Sequence, residues 1–373
     1  MAGIYIHIPY CRKACHYCNF HFSTSTQRLN EMVQAIGMEA KLRKDYLQEP
    51  VKTIYFGGGT PSLLPVQDIQ WMTDIFRELF KVDKDAEITL EANPDDISIQ
   101  TAAAWKAAGI NRLSIGIQSF FQEHLNWMNR AHSAEQALQS IQVVQAAGFD
   151  NITIDLIYGT PGLTDEKWHQ NVQQALQLNI PHLSCYALTV EPKTALDKMI
   201  RQHQIANVDG NQQSHQFELL MQWMLDAGYR HYEISNFAKP GKFSRHNSSY
   251  WQGTTYLGLG PSAHSFNGNS RQWNIANNAL YLKSIEQQTV PFEIEYLTVA
   301  QQLNEYIMTG LRTSEGISLA YISEKWGDEN TAAIVKDAFK WVEGEKIHQQ
   351  NRHLVLTNAG KLLADGIAAD LFR

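Results

Sequence analysis

The chain has 373 residues, which is longer than a typical single domain, so we expect one large domain and a smaller second one. Hydrophobic residues make up 44% of the sequence and charged residues 18%, and no apolar run is long enough to cross a bilayer, which argues against a membrane-spanning protein. The net charge of −7 disfavours nucleic acid as the main partner.

The first residues and the cysteines indicate the cellular compartment of the protein. Met1 is followed within two residues by the strand-like sequence GIYIHI, which leaves no room for a secretory signal. Of four cysteines, three are crowded between positions 11 and 18, a spacing that suits a metal in a reducing compartment better than a disulfide framework. We therefore expect a cytoplasmic protein.

Strands alternate with helix-length segments over the first two thirds of the chain. Helices ending at Gly109, Gly148 and Gly228 are each followed by a strand, and glycine at this position closes a helix in the left-handed conformation. The alternation predicts a parallel sheet with crossover helices. The seven predicted strands lie in IYIHI, VKTIYFGG, AEITLEA, INRLSIGIQ, FDNITIDLIYG, HLSCYAL and YRHYEIS.

Polar residues follow successive strands, at the point where each strand ends. They are Cys11, Thr60, Glu91, Gln118 and Asp155. A β/α barrel builds its active site from the carboxyl ends of many strands, whereas a doubly wound sheet concentrates such residues at one or two points. The sequence therefore predicts an α/β fold with an incomplete, TIM-like β/α barrel over residues 1–235.

The end of the chain has a different character. EYIMTGLRTSEGISLAYISEKWG predicts two short helices, a third follows at Asn330–Val342, and KIHQQNRHLVLT predicts a hairpin. This order predicts a small α+β, winged-helix-like domain over 301–373, with 236–300 as a motif and linker segment. Residues 301–373 contain 5 Lys and 3 Arg against 4 Asp and 6 Glu, so a structural or docking role is favoured over DNA binding.

The three clustered cysteines form a C-x3-C-x2-C motif of Cys11, Cys15 and Cys18. Three thiolates on a [4Fe–4S] cluster leave one iron open to an external ligand. Zinc is the main alternative, since His16 or His21 could complete a Cys₃His tetrahedron.

Six motifs occur in a characteristic order: YIHIPYCRKACHYCNF, YFGGGTP, EANP, IGIQSF, NRAH and DLIYGTPG. In this order they resemble the radical S-adenosylmethionine proteins related to oxygen-independent coproporphyrinogen III oxidase, and within that family they are most similar to the HemW branch of heme chaperones. The resemblance implies a [4Fe–4S] cluster on the three cysteines and S-adenosylmethionine at its open iron, where electron transfer cleaves a carbon–sulfur bond.

The resemblance also implies roles for further residues. The glycine-rich turn would bind S-adenosylmethionine, although such a turn is also a common way to connect a strand to a helix. Glu91 would accept hydrogen bonds from the ribose. Gln118, Arg130 and Asp155 would lie at the opposite end of the site, where the oxidases hold a second S-adenosylmethionine; an ordinary salt bridge between Arg130 and Asp155 is the alternative. The implied S-adenosylmethionine residues are Tyr5, Tyr17, Gly58, Gly59, Thr60, Glu91, Gln118, Arg130 and Asp155.

Heme enters the interpretation through Arg245–Trp251, which matches the HNxxYW motif associated with heme in the HemW branch. We expect an exposed loop in which His246 is the axial ligand of heme iron, Tyr250 and Trp251 pack on the porphyrin, and Arg245 pairs with a propionate. A loop histidine bonded to the backbone is the alternative, and His264 is a second candidate ligand.

The predicted function is a heme chaperone that delivers heme to respiratory apoproteins. Its recipients would be membrane-bound respiratory heme enzymes, with the chaperone peripheral to the inner membrane through them. Oxygen-independent coproporphyrinogen III oxidase is the alternative, disfavoured because Phe20 replaces a further cysteine of the oxidases and only ten residues precede Cys11. A zinc-containing or winged-helix regulator is a third class.

Overall fold

Six parallel strands form the central part of the sheet. The computed structural model describes residues 1–373, and each of these strands except the last is followed by a crossover helix. The strands are β1 Ala2–Ile8, β2 Val51–Gly58, β3 Val82–Ala92, β4 Arg112–Gln118, β5 Ile152–Tyr158 and β6 His182–Ala187. The helices are α1 Leu29–Leu42, α2 Val66–Leu79, α3 Ile99–Ala107, α4 Gln122–Trp127, α5 Ala134–Ala146, α6 Asp165–Gln177, α7 Ala195–Arg201 and α8 Gly210–Asp226.

The sheet continues past residue 235, where the barrel was predicted to end. The added strands are β7 Arg230–Glu233, β8 Asn236–Ala238, β9 Thr255–Leu259, β10 His264–Phe266, β11 Ser270–Asn274 and β12 Phe292–Tyr296, with helices α9 Arg245–Trp251 and α10 Asn278–Glu286. The order is β12-β11-β10-β9-β1-β2-β3-β4-β5-β6-β8-β7, so the barrel is not closed, which confirms the predicted incomplete barrel. Because β9 lies parallel to β1, the segment 236–300 contributes to the barrel itself.

The seventh predicted strand does not take the parallel place expected for it. YRHYEIS forms β7, which pairs antiparallel with β8 at the edge of the sheet. The expectation that YRHYEIS forms a parallel strand is therefore wrong, and the further parallel strand of the barrel is β9. The reason is the connection, since only two residues separate β7 from β8 and a parallel neighbour would need a crossover segment.

Side chains alternate along the barrel strands in an unusual way. In β1, Ile4, Ile6 and Ile8 are buried at 0–1% exposure within the large core cluster, whereas Tyr5 and His7 belong to the polar and aromatic set that fills the interior. The main apolar core therefore lies between the sheet and its helices. The interior is occupied by polar and aromatic side chains.

Helix α9 spans the connection from β8 on one side of the barrel to β9 on the other. The Glu87 carboxylate, on β3, accepts hydrogen bonds from the backbone N–H groups of Arg245 and His246 at 3.1 and 3.0 Å. A negative charge at a helix N-terminus is favourable because it meets unpaired N–H groups and the positive end of the helix dipole. Helix α9, which has only seven residues, is thereby attached to β3.

The carboxy-terminal residues form a second unit with its own core of 16 buried residues. Its elements are α11 Val299–Leu311, β13 Ile317–Ser318, α12 Leu319–Trp326, α13 Asp328–Glu343, β14 Ile347–Gln350, β15 His353–Leu356, α14 Asn358–Lys361 and α15 Ala364–Asp370. Helix, strand, two helices and a hairpin are the winged-helix-like arrangement predicted from the sequence. None of the helices in either unit has the length and apolar character needed to cross a bilayer.

Candidate functional site

A cavity of about 420 Å³ opens at the carboxyl ends of the parallel strands. The polar residues that follow successive strands meet here, as expected for parallel strands that share one edge. Eleven of the predicted site residues line it: Cys11, Cys15, Tyr17, Cys18, Gly58, Gly59, Thr60, Glu91, Gln118, Arg130 and Asp155. Tyr5 and His246 are not among the lining residues.

The cysteine loop is anchored by backbone hydrogen bonds at its two ends. The N–H of Cys11 donates to the carbonyl of Ser23 at 3.0 Å, and the N–H of Ser23 donates to the carbonyl of Pro9 at 2.9 Å. Burial raises the pKa of the Cys11 thiol to about 11, against the opposing effect of a hydrogen bond with Thr60. Bound iron would reverse this preference, because a coordinated thiol is deprotonated by the positive charge.

The donor set fits an iron–sulfur cube better than a single zinc ion. A tetrahedral zinc holds its sulfurs about 3.8 Å apart, given Zn–S bonds of about 2.3 Å, whereas a cube separates them onto different irons. No three His, Cys, Asp or Glu side chains are gathered closely enough to hold one ion. The two histidines proposed as zinc ligands bond elsewhere: His16 Nδ1 donates to the Trp127 carbonyl at 2.8 Å and His21 Nε2 to Asn278 Oδ1 at 2.7 Å.

Arg130 connects the cysteine loop to the far wall of the cavity. Its guanidinium donates to Cys15 Sγ at 3.3 Å, to Asn93 Oδ1 at 2.7 Å and to the Gly116 carbonyl at 2.8 Å. It pairs with no carboxylate, so the simple salt bridge with Asp155 is not formed. The buried Nε of Arg130 has no partner, and a buried donor without a partner beside a cavity suits a polar ligand.

The two carboxylates of the cavity are tuned by their surroundings. Burial raises the pKa of Glu91 to about 8, with a hydrogen bond from Tyr55 opposing the shift and the charge of Asp155 adding to it. Burial also raises the pKa of Asp155 to about 6, opposed by hydrogen bonds from Ser184 and Ser114. Perturbed carboxyl groups in a cleft are typical of functional sites.

The glycine-rich turn after β2 is required by the protein's own packing. A Cβ atom on Gly58 would lie 2.7 Å from His7 Nδ1, and one on Gly59 would lie 2.5 Å from the Tyr10 carbonyl oxygen. Gly58 also has φ of +104°, which favours glycine. The turn is therefore tight for structural reasons, and its backbone also lines the cavity.

Gln118 ends β4 in a strained conformation. Its φ of +66° lies in the left-handed region, which is uncommon for a residue with a side chain, and the pairing of β4 with β5 shifts between Ile115 and Gln118. Strain of this kind is concentrated at functional sites. The bulge places Gln118 in the cavity wall.

The segment around His246 differs from the sequence-based expectation. The predicted exposed loop is wrong: the segment is helix α9, and His246 is 1% exposed. One ring nitrogen bonds Thr53 Oγ1 at 2.8 Å and the other bonds the Tyr250 hydroxyl at 2.9 Å, so neither offers a free lone pair to iron in this conformation. The loop expectation failed because the polar groups of the motif find partners on remote strands.

The other residues of the heme motif also have partners within the protein. Arg245 donates to the Asp85 carbonyl at 2.7 Å, and the Trp251 ring packs under the Arg312 guanidinium at 5.5 Å. Tyr250 packs edge-on against Tyr256. The contacts that we expected with a propionate and a porphyrin are therefore occupied by protein groups.

Tyr5 and Tyr55 lie side by side, with ring centroids 6.1 Å apart. The Tyr5 hydroxyl donates to His7 Nδ1 at 3.1 Å, because Nε2 of that ring donates to the His21 carbonyl. Sequence analysis missed Tyr55, which donates to Glu91 at 2.7 Å, and Asn93, which bonds Arg130. The EANP motif contains Asn93 and could have indicated it. Tyr55 is a single tyrosine within an apolar strand, and nothing in the sequence marks it as functional.

Comparison with known proteins places this site in a family. The Radical SAM superfamily model matches residues 5–175, and the HemN C-terminal domain model matches residues 297–363. The protein named heme chaperone HemW from Bacillus subtilis (strain 168) is 34% identical over 374 residues, covering 98% of each chain. The chain belongs to the HemW family.

Other comparisons agree with this assignment. The HemW of Mycobacterium tuberculosis (strain ATCC 25618 / H37Rv) is 34% identical and covers 99% of this chain and 94% of its own length, and that of Escherichia coli (strain K12) is 37% identical over 267 residues, 70% of this chain and 69% of its own. The solved coproporphyrinogen III oxidase (HemN) from Escherichia coli superposes with a TM-score of 0.85, covering 100% of this chain and 90% of its own, at 23% identity. At this sequence identity, the similarity to HemN supports the fold of the chain and carries no information about its activity.

Proposed function

We propose that this protein is a heme chaperone that carries a [4Fe–4S] cluster and an S-adenosylmethionine site, and that delivers heme to respiratory apoproteins. The observation that carries the proposal is the full-length similarity to proteins named heme chaperone HemW. The proposed place of action is the cytoplasm, with membrane-bound respiratory enzymes as recipients.

The cavity supports the cluster and cofactor part of the proposal. Cys11, Cys15 and Cys18 would hold three irons, leaving the fourth for S-adenosylmethionine, whose carbon–sulfur bond a reduced cluster can cleave. Glu91 would accept hydrogen bonds from the ribose. Arg130 would hold the far wall in place, and its unpaired Nε would donate to a ligand.

An oxidase function is not favoured. The third cysteine is followed two residues later by Phe20, which is 66% exposed at the cavity and offers no thiol. The fold shared with the oxidase does not bear on activity, because one barrel supports many chemistries.

Heme would need an accessible imidazole. His264 on β10 is exposed and lies beside Trp273, with ring centroids 6.2 Å apart, so an iron ligand and an aromatic surface occur together there. His246 could ligate iron only if α9 moved and its bonds to Thr53 and Tyr250 broke. We therefore propose His264 as the first residue to test and His246 as the second.

The experiment adds heme to the anaerobically purified protein and records the Soret band and the affinity. We expect stable heme binding, weakened and spectrally shifted in His264→Ala, with the iron–sulfur absorbance unchanged. His348→Ala on β14, which removes another exposed histidine, is the control. A normal Soret band in His264→Ala together with a lost one in His246→Ala would assign the ligand to α9.

A second arm separates chaperone from oxidase. The same preparation receives coproporphyrinogen III, S-adenosylmethionine and a reductant, and we expect no protoporphyrinogen. Sustained turnover, or failure of the wild-type protein to bind heme, would overturn the proposed function.

A further inference from the structure

The imidazole of His246 lies in the interior of the barrel, among side chains of β1 and β2. Gly3 on β1 makes room for Thr53, because a Cβ atom there would lie 2.9 Å from Thr53 Oγ1, the atom that bonds His246, and at ordinary contact distance, 3.5 Å, from the His246 ring. The two hydrogen bonds, to Thr53 on β2 and to Tyr250 one helical turn away, fix the ring from opposite sides. A ring held at both nitrogens cannot flip or tilt without losing a buried hydrogen bond.

The fixed imidazole forms one side of an aromatic stack that leads towards the cavity. Its ring lies 4.9 Å from that of Tyr55 with an interplanar angle of 22°. Tyr5 packs against the other two rings, with centroids 6.1 Å from Tyr55 and 6.5 Å from His246. The orientation of the Tyr55 ring is therefore set by its neighbours and not by its own rotamer preference alone.

The hydroxyl of Tyr55 reaches a residue of the cavity. It donates to Glu91 Oε1 at 2.7 Å, and a Cβ atom on the neighbouring Gly57 would lie 2.8 Å from Tyr55 and 3.1 Å from that carboxylate. One oxygen of Glu91 is thus hydrogen-bonded to Tyr55, whose ring packs against His246 and Tyr5. A hydrogen bond to a fixed donor orients a carboxyl group better than solvent does.

We propose that His246 is a positioning residue of the S-adenosylmethionine site, acting through Tyr55 on Glu91. This rests on the proposed cofactor site and assigns to the HNxxYW motif a role inside the barrel. The imidazole belongs to helix α9 and is held by hydrogen bonds to Thr53 and Tyr250. It packs against Tyr55, which in turn orients the Glu91 side chain at the end of β3. The helix itself is fixed by Glu87, so the support extends across the barrel wall.

The test measures S-adenosylmethionine affinity by calorimetry on the full-length protein with its cluster reconstituted. Tyr55→Phe keeps the ring and removes the hydroxyl, and we expect affinity to fall about fivefold to tenfold, the scale of one hydrogen bond between neutral groups. His246→Ala should produce a loss of similar size. The double variant should be no worse than either single one, because residues that act in series are not additive.

Two further variants separate positioning from general support of the fold. His246→Phe restores a ring against Tyr55 and should recover most of the affinity lost in His246→Ala, although both of its hydrogen bonds are gone. His182→Ala removes an equally buried histidine of the barrel interior that bonds Thr153 and Tyr232 but has no contact with Tyr55. It should lower thermal stability and leave the affinity unchanged.

The outcomes are distinct. Normal affinity in both His246→Ala and His246→Phe, additive losses in the double variant, or an equal loss in His182→Ala would overturn the proposal. If His246→Ala does not fold, normal affinity in Tyr55→Phe overturns it equally well. Failure of the wild-type protein to bind S-adenosylmethionine would instead count against the proposed function.

Discussion

The four cysteines of the chain occupy two different environments. Cys11, Cys15 and Cys18 are partly exposed around one cavity, whereas Cys185 is 1% exposed on the helix-facing side of β6. Burial raises the pKa of Cys185 beyond the range in which a thiolate forms. Only the first three line the cavity, so we expect these and not Cys185 to be the ligands to iron.

We predict that anaerobic protein contains about four irons and four sulfides per chain. Replacing Cys11, Cys15 and Cys18 together by Ala should remove the iron, the sulfide and the brown colour, because three of the four irons lose their ligands. Cys185→Ala is the control and should keep all of them. Stoichiometric zinc in the native protein would contradict the prediction.

Cofactor binding and folding favour different protonation states of Glu91. An ionised carboxylate is the better acceptor for the ribose, whereas burial favours the protonated form. Its pKa of about 8 in the folded protein lies above the unfolded value near 4.3, so the folded state holds the proton between these values. Stability contributed by the protonated form is present at low pH and is lost as pH rises through about 8. Asp155, with a pKa of about 6, titrates within the same window, but it is present in both proteins compared below.

We predict that Glu91→Gln gains stability over the wild type as pH rises from 5 to 9, by at least about 1.4 kcal/mol, the value of one pKa unit. Urea unfolding without S-adenosylmethionine measures this difference. At pH 9, where Glu91 is ionised, the same variant should bind S-adenosylmethionine about 1.5–3 kcal/mol more weakly, since the charge on the acceptor is lost. A stability difference that does not vary with pH would show that Glu91 does not titrate in this range.

At the scale of elements, one buried carboxylate joins α1 to the added strands of the sheet. Glu39 accepts hydrogen bonds from the Tyr281 hydroxyl at 2.6 Å, the Gly260 N–H at 2.8 Å and Asn274 Nδ2 at 2.7 Å. Arg43, the residue directly after α1, bonds Glu39 and also the carbonyl of Gly258 on β9. The network holds β9 beside β1, which the barrel needs on that side.

We predict that Glu39→Gln lowers the free energy of unfolding by about 3–5 kcal/mol, because it leaves the buried Arg43 charge without its counter-ion. Chemical denaturation measures this loss. Glu31→Gln on the same helix removes an exposed partner of Arg28 and should have little effect. Equal stability of the two variants would mean that the network does not hold these elements together.

At the scale of the molecule, the two units contact each other through several elements, among them α9 and α11. The N–H of Ile234 donates to the Arg312 carbonyl at 3.0 Å, and the N–H of Ser314 donates to the Tyr232 carbonyl at 3.0 Å. Lys361 bonds His231 at 3.0 Å across the same region. The two hydrophobic cores share no buried residue, although Leu362 packs against the larger core and Ile234 against the smaller one, so we expect each unit to have stability of its own.

We predict that Ile367→Ala, in the core of the carboxy-terminal unit, lowers the stability of that unit by about 2–5 kcal/mol while the iron content and the S-adenosylmethionine affinity stay normal. Calorimetry should show a lower first transition and an unchanged second one. Ile141→Ala, in the core between sheet and helices, should move the other transition. One shared transition, moved equally by both variants, would show that the units unfold together.

The sequence by itself determined the local chemistry of this protein. The spacing of Cys11, Cys15 and Cys18 fixes three ligands within one loop, and the ends of parallel strands bring Thr60, Glu91, Gln118 and Asp155 to one edge whatever the details of packing. The helix-ending glycines and the helices and hairpin of the carboxy-terminal unit were likewise readable, because they depend on neighbours close in sequence.

The tertiary structure alone decided how remote segments meet. That β7 turns back antiparallel, that β9 lies beside β1, and that α9 brings His246 under the cavity all depend on contacts between residues far apart in the chain. From the neighbouring sequence alone, polar residues such as His246 and Tyr55 are expected to be exposed to solvent or show no preference for burial. They are buried here because Thr53, Tyr250 and Glu91 satisfy their hydrogen bonds, and a buried polar group is stable only where such partners exist.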